Sequence, residues 1–403
     1  MPSKKISFFV LFALLAAFLL YYAYAHRSVS AFLWAISFLL VACTILSALF
    51  RGIFITLISV TVSLAIVEAA LGFLPQLMTK KSTDKATPTA YFDTNFSYAT
   101  PAYWQLGPFG SQPRPGVYQS RKLAGDGAVV YTAEYTIGED GFRVTPQYGW
   151  SPLNSDVNNQ SRINFLGDSF TFGEGVNDNQ TMEYYFGALS QKNGKPVWVK
   201  NYGVHGWGMH QALAILQSDL DIKANVQFAL TSPWHASRSA CADFYSLGSP
   251  KYILQSDGLV KRNGYCRSFG WVEHSPKAIR GLITSSKIFN LIVDSLFITS
   301  DQDQQIRLYL GILKTMQQEL ASKGQPFKLG FIKADKSWFV GSYTNEKIFK
   351  SIQDMGIEVV DMTLAPSNEV LDKKYYLHEL DKHPSPAGNE ARAVLLYQVF
   401  QRR

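Results

Sequence analysis

The chain has 403 residues and a formal net charge of +7, with 47% hydrophobic and 17% charged residues. No dense Lys/Arg run with interleaved aromatics occurs, so nucleic acid is not expected as a partner. The 7 histidines and 3 cysteines form no cluster with ligand spacing, so no metal and no cofactor is expected.

Residues 6–25, 31–50 and 53–74 are almost wholly apolar. Each is about long enough to cross a bilayer core of roughly 30 Å as a helix. The breaks between them, His26-Arg27 and Arg51-Gly52, are short. Three transmembrane helices within residues 1–80 are therefore expected. A cleaved signal peptide would offer only one short apolar region. Tyr21, Tyr22 and Tyr24 sit where an interfacial belt would lie. Glu68 lies toward the end of the third segment and is expected to snorkel to the interface. Lys4, Lys5 and Arg51 favour a cytoplasmic N-terminus, while Arg27, Lys80 and Lys81 oppose it. Three spans from a cytoplasmic start put the large domain on the far side.

Residues 81–95 are polar and read as a linker. Residues 96–160 are rich in Pro, Gly and Tyr, and the β-branched, aromatic stretch Val129–Ile137 predicts a strand. Gly138-Glu139-Asp140-Gly141 predicts a turn after it, so this region is expected to be a small β-rich appendage. From 161 to 403 strands and helices alternate. Strands are expected at 163–166, 197–201, 226–230, 327–332 and 357–362. Ile306, Leu310, Leu313, Met316 and Leu320 fall at helical spacing, and Gly324 is a stop signal. The last helix starts near Ser385-Pro386. This alternation predicts an α/β domain with a parallel sheet covered on both faces. Residues 235–300 are too long for an ordinary connection and read as an insertion shaping access to the site. Within it, Cys241 and Cys266 are either a disulfide, which needs an oxidising compartment such as a bacterial periplasm, or two unpaired buried thiols. Cys43 reads as an apolar residue of the second span.

The stretch Phe165-Leu166-Gly167-Asp168-Ser169-Phe170-Thr171-Phe172-Gly173 places a serine at the carboxyl end of a strand, where open α/β sheets put their reactive groups. Ser169 needs a base to become a nucleophile. His383 is the candidate, with Asp381 two residues before it. Ser, Asp, His is one chain order of a catalytic triad. The bland reading makes Ser169 a helix cap and His383 a surface histidine. Asp168 is expected to accept backbone N–H bonds in the turn. Gly203, Gly206 and Gly208 read as turn glycines that also allow close approach of a ligand. His205 and His210 read as packing or substrate-contact residues.

These blocks resemble the SGNH/GDSL hydrolase superfamily over roughly residues 160–403. Gly167-Asp168-Ser169 looks like the first block, Asn201-Tyr202-Gly203-Val204-His205-Gly206 like the second, and Asp381-Lys382-His383 like the last. The resemblance implies a three-layer, flavodoxin-like fold, with Ser169, Asp381 and His383 as triad and the N–H groups of Ser169 and Gly206 as oxyanion donors. Two departures stand out. The last block is Asp-x-His rather than Asp-x-x-His, similar to the branch that includes bacterial alginate O-acetylation proteins. Where the third block normally carries an asparagine, this chain reads Thr231-Ser232-Pro233-Trp234-His235. Trp234 or His235 can donate an N–H there, and His235 is taken as the third oxyanion donor. Trp234 and Arg238 are taken as substrate contacts.

The resemblance implies a bacterial inner-membrane esterase, its catalytic domain periplasmic, acting on O-acyl, chiefly O-acetyl, esters of carbohydrate. Two alternatives stay open. One is an O-acetyltransferase of exopolysaccharide or cell-wall glycan, which requires a membrane acyl-donor partner because three short spans are too few to form the donor channel. The other is a non-catalytic glycan-binding or assembly protein, favoured by the missing asparagine.

Overall fold

The computed structural model describes residues 12, 14–22, 29–46, 51–79, 91–92, 103–124, 127–146, 161–220, 222–242, 246, 248–266, 301–365, 371–379 and 381–401, with isolated positions between 272 and 292. The chain forms two compact units. One comprises Met1–Ala86 and Arg267–Phe297, the other Thr87–Cys266 and Ile298–Arg403.

In the first unit, α1 (Val29–Leu46) packs along α2 (Arg51–Thr79), where Ser37 Oγ and Thr61 Oγ1 meet at 2.8 Å. The expectation of three membrane spans finds no support here. Among the described residues, no helix is long and apolar enough to cross a membrane. Glu68 breaks the apolar surface of α2, and it does not snorkel. It is 6% exposed, and its carboxylate accepts from Ser286 Oγ and from the backbone N–H groups of Lys287 and Ile288. Of the first expected span, only residues 12 and 14–22 lie within the described residues.

The second unit is built on a five-stranded parallel sheet. Its strands are β6 (Ser161–Gly167), β7 (Val197–Gly203), β8 (Val226–Thr231), β11 (Phe327–Phe331) and β12 (Glu358–Asp361), in the order β12-β11-β8-β6-β7. Renumbered within the sheet this is 2-1-3-4-5, the flavodoxin-like order, whose switch point lies between β6 and β8. Side chains alternate across each strand. Ile163, Phe165, Phe228 and Leu230 face one core, with Phe186 of α4 (Met182–Lys192) and Leu396 of α9 (Pro386–Gln401). Leu166, Ala229, Leu329 and Phe331 face the other, with Leu213 of α5 (Met209–Leu216), Leu313 of α7 (Gln302–Ser322) and Ile348 of α8 (Asn345–Asp354). The stripe from Ile306 to Leu320 is the buried face of α7, so the expected three layers are present.

Ahead of the sheet the chain is β-rich, with β1 (Tyr91–Phe92) and the antiparallel pair β2 (Trp104–Gly107) and β3 (Gly110–Pro113). The antiparallel hairpin of β4 (Gly116–Leu123) and β5 (Val129–Ile137) turns Tyr131, Ala133, Tyr135 and Ile137 to one side, where they bury with Tyr103 and Phe172. Phe172 ends the short helix α3 (Ser169–Phe172), so this hairpin packs directly on the helix that Ser169 begins. In the expected insertion, β9 (Pro250–Leu254) and β10 (Val260–Tyr265) pair as a hairpin. Val260 N–H donates to Thr315 Oγ1 of α7 at 2.9 Å. Cys241, just after α6 (His235–Ser239), is joined to Cys266 by a disulfide across a separation of 25 residues. Opening this bridge by Cys266→Ser is expected to lower the unfolding free energy by about 3 to 4 kcal/mol, read by urea denaturation.

Candidate active site

Four short elements bring the site together. Asp168 caps α3, its Oδ1 accepting the Phe170 N–H at 2.9 Å. The cap is thus Asp168, and Ser169 is left free at the first helical position. Beside it runs the loop after β7. Gly203 touches α3 so closely that a Cβ there would lie 2.4 Å from the Phe172 nitrogen. Asn201 ties the two, its Nδ2 donating to Thr171 O and its Oδ1 accepting the Gly203 N–H, both at 2.8 Å. The loop then turns at Gly206, whose φ of 72° suits glycine. His383 sits in β14 (Asp381–Pro384), paired antiparallel with β13 (Tyr376–His378).

These elements bring Ser169, His383 and Asp381 together. His383 Nε2 lies 2.8 Å from Ser169 Oγ, and His383 Nδ1 lies 2.5 Å from Asp381 Oδ1. The short Asp-x-His spacing is accommodated because the same Oδ1 also accepts the backbone N–H of His383 at 3.0 Å. Asp381 Oδ2 accepts from Lys122 Nζ at 2.8 Å. Burial alone would raise the Asp381 pKa, but the hydrogen bonds and charges of His383 and Lys122 hold it well below the usual carboxylate range.

A second carboxylate was missed in the sequence. Glu174 Oε2 stands 3.5 Å from His383 Nε2 and 2.9 Å from His205 Nδ1. His205 Nε2 meets the Tyr103 hydroxyl at 3.0 Å. Burial lowers the His205 pKa despite Glu174, and it raises that of Tyr103. Burial alone would raise Glu174, but the charges of His383 and His205 and the His205 hydrogen bond draw it down to about 2. For His383 burial works toward a lower pKa. The charges of Glu174 and Asp381 and the Asp381 hydrogen bond outweigh it and push the imidazole up to about 9.

Arg143 shapes the chain that carries Glu174. It is wholly buried and donates to the carbonyls of Phe172 (2.9 Å), Gly173 (2.6 Å), Val176 (2.7 Å) and Glu134 (3.1 Å), and to Asp178 (2.8 Å).

The third-block residues take a different job from the one expected. His235 Nε2 lies 2.9 Å from Asp168 Oδ2, and its Nδ1 meets Thr231 Oγ1 at 3.1 Å. His235 is 1% exposed, and its ring lies between Thr231 and Asp168 rather than on an open surface. Trp234 Nε1 and Arg238 Nη1 donate to the same Asp168 oxygen at 3.1 and 2.8 Å, so their polar groups are turned inward rather than to a substrate. Burial works against the charge on Asp168, but His235, Arg238 and the Phe170 N–H together hold its pKa well below normal. His210 bonds Ser249 Oγ at 2.8 Å and is a buried packing residue.

No protein-family model matches the chain, and no curated protein sequence matches it. Among solved structures it resembles a putative lipolytic protein of the G-D-S-L family from Desulfitobacterium hafniense, at 13% identity and a TM-score of 0.35, over 60% of this chain and 99% of that one. It also resembles a lipase/acylhydrolase from Enterococcus faecalis (18%, TM-score 0.35, over 60% of this chain and 95% of that one). The psychrotrophic esterase EstA from Pseudoalteromonas sp. is a further match (8%, TM-score 0.35, over 60% and 98%).

Two outcomes follow from this geometry. A serine nucleophile needs neutral His383, so kcat/KM should climb with pH and level off only near pH 9. Because folding raises this pKa, the stability it contributes is full below about pH 6.5 and is lost as pH rises toward 9. Chemical denaturation at pH 6 and 9 reads that loss. Arg143→Met should cost about 3 to 5 kcal/mol in the same assay, since it strands buried carbonyls and Asp178.

Proposed function

We infer that this chain is a serine ester hydrolase of the SGNH/GDSL kind, and we propose that it cleaves O-acyl esters of carbohydrate, O-acetyl esters first among them. The observation that carries the reading is the 2.8 Å contact of Ser169 Oγ with an imidazole held on its far side by Asp381. As the Ser169 oxygen bonds to the ester carbonyl carbon, its proton passes to His383 Nε2 and the carbonyl electrons move onto oxygen. The N–H groups of Ser169 and Gly206 are assigned to that oxyanion, each worth about 2.7 to 4 kcal/mol. Collapse breaks the bond to the leaving alkoxide, which takes the proton from Nε2. Water then resolves the acyl-enzyme by the same steps. The half-buried Phe170 ring, 5.2 Å from the His383 ring and 5.4 Å from Trp234, supports a ring-shaped substrate beside the nucleophile.

The Asp-x-His last block supports a second reading, transfer of the acyl group to a sugar hydroxyl, with a membrane partner supplying the donor. The Cys241–Cys266 bridge supports an oxidising, periplasm-like compartment.

The test uses the full chain with a fluorophosphonate probe, p-nitrophenyl acetate and an O-acetylated oligosaccharide, beside Ser169→Ala. Labelling and acetate release are expected in the wild type, and the variant should lose about 10⁴-fold or more in kcat. Transfer of acetyl to added sugar in preference to water would favour the second reading. A folded wild type that neither labels nor cleaves would leave a binding role.

A further inference from the structure

Glu174 is a buried, ionised carboxylate that the triad chemistry does not require. It is 3% exposed, and one of its oxygens serves two imidazoles, His205 at 2.9 Å and His383 at 3.5 Å. It approaches His383 at Nε2, the nitrogen that also faces Ser169. The orienting Asp381 approaches at the opposite nitrogen. Two carboxylates thus hold one imidazole from both ends.

We propose that Glu174 is a positioning residue that competes with Ser169 for the Nε2 proton of His383. This inference rests on the serine-hydrolase reading. When the Ser169 hydroxyl gives its proton to Nε2, the new N–H finds two acceptors, the ester's leaving oxygen and Glu174 Oε2. The proton stays on nitrogen, because the imidazolium is the far weaker acid of the pair. Glu174 holds the charged ring in the site until the leaving group takes the proton. The balance of the reaction is unchanged, and Glu174 ends each turnover as it began.

The support behind Glu174 is unusually complete. Gly173 and Gly175, with φ of 81° and 83°, bend the chain so that the side chain returns toward α3. Both the Gly173 and Glu174 N–H groups donate to Ser169 O at 3.0 Å. Arg143 pins the carbonyls on either side, and Gly175 N–H donates to the Tyr135 hydroxyl at 2.8 Å. His205, backed by Tyr103, fixes the carboxylate from the block-two loop. Other charged and titratable groups face this cluster. They are Asp381 and Lys122 at Nδ1, Asp168 at the nucleophile turn, and Arg143, Tyr131 and Tyr135 from the hairpin side. Arg392 lies behind Phe170, its guanidinium 5.7 Å from that ring.

Glu174→Gln keeps an acceptor for His205 and deletes only the charge. Two readouts are needed on the full chain: the pH dependence of p-nitrophenyl acetate hydrolysis, and the His383 pKa from NMR of ¹⁵N-histidine-labelled protein. Removing one adjacent charge should move both the midpoint of the ascending limb and the NMR pKa down by about 1 to 3 units. The fraction of plateau activity reached at pH 7 should then rise about tenfold or more. Glu174→Asp, which keeps the charge at shorter reach, should fall between the two. A Glu174→Gln profile that superimposes on the wild type after scaling, with an unmoved NMR pKa, would mean Glu174 merely braces the loop and would overturn the proposal. The NMR titration reads the coupling even in a chain that hydrolyses nothing, so failure of the hydrolase reading and failure of this one are told apart.

Discussion

The structure is organised around the cost of burying negative charge beside a serine. Asp168, Glu174 and Asp381 are each 2–3% exposed, and unpaired buried carboxylates would be protonated rather than tolerated. Each has its own positive or N–H-bearing partners. Asp381 has Lys122 and His383, Glu174 has His205 and His383, and Asp168 has Arg238, Trp234 and His235. The imidazole of His383 is shared between two of these sets. Its position over Ser169 is the balance point of the charge arrangement, and its high proton affinity follows from the same cause.

That arrangement explains why the β-rich region before residue 161 is not a separable appendage in energetic terms. It delivers Lys122 to Asp381, Arg143 to the chain around Glu174, and Tyr103 to His205. The parallel sheet supplies Ser169 and the glycine loop at its switch point. The hairpin supplies the cation that offsets the orienting acid and packs Tyr135 against Phe172, 5.0 Å between ring centroids.

The third block illustrates substitution of role. An asparagine is absent after β8, and in its place Trp234, His235 and Arg238 converge on Asp168. The aspartate of the Gly-Asp-Ser turn therefore holds the third loop in place. His235 is fixed at its other nitrogen by Thr231, which in turn meets the Tyr309 hydroxyl at 2.9 Å. Trp234, His235 and Arg238 thus brace the turn that presents Ser169.

Local pattern in the sequence was enough for the five core strands, the amphipathic stripe of α7, the order Ser169, Asp381, His383 and the pairing of Cys241 with Cys266 as one of two options. Those signals are periodicities and short motifs, confined to one element or to residues a few positions apart. They said less where meaning depends on a neighbour from elsewhere. Apolar runs at 31–50 and 53–74 suggested bilayer spans, yet Glu68 is buried against backbone more than 200 positions away. Nothing in the sequence singled out Glu174 or Arg143, and His235 was expected as an oxyanion donor. Lys122 and Asp381 are 259 residues apart, and Tyr103 and His205 are 102 apart. No periodicity links such positions. Only the tertiary packing decided them, because a buried charge is stabilised by whichever partner the fold brings within hydrogen-bond reach.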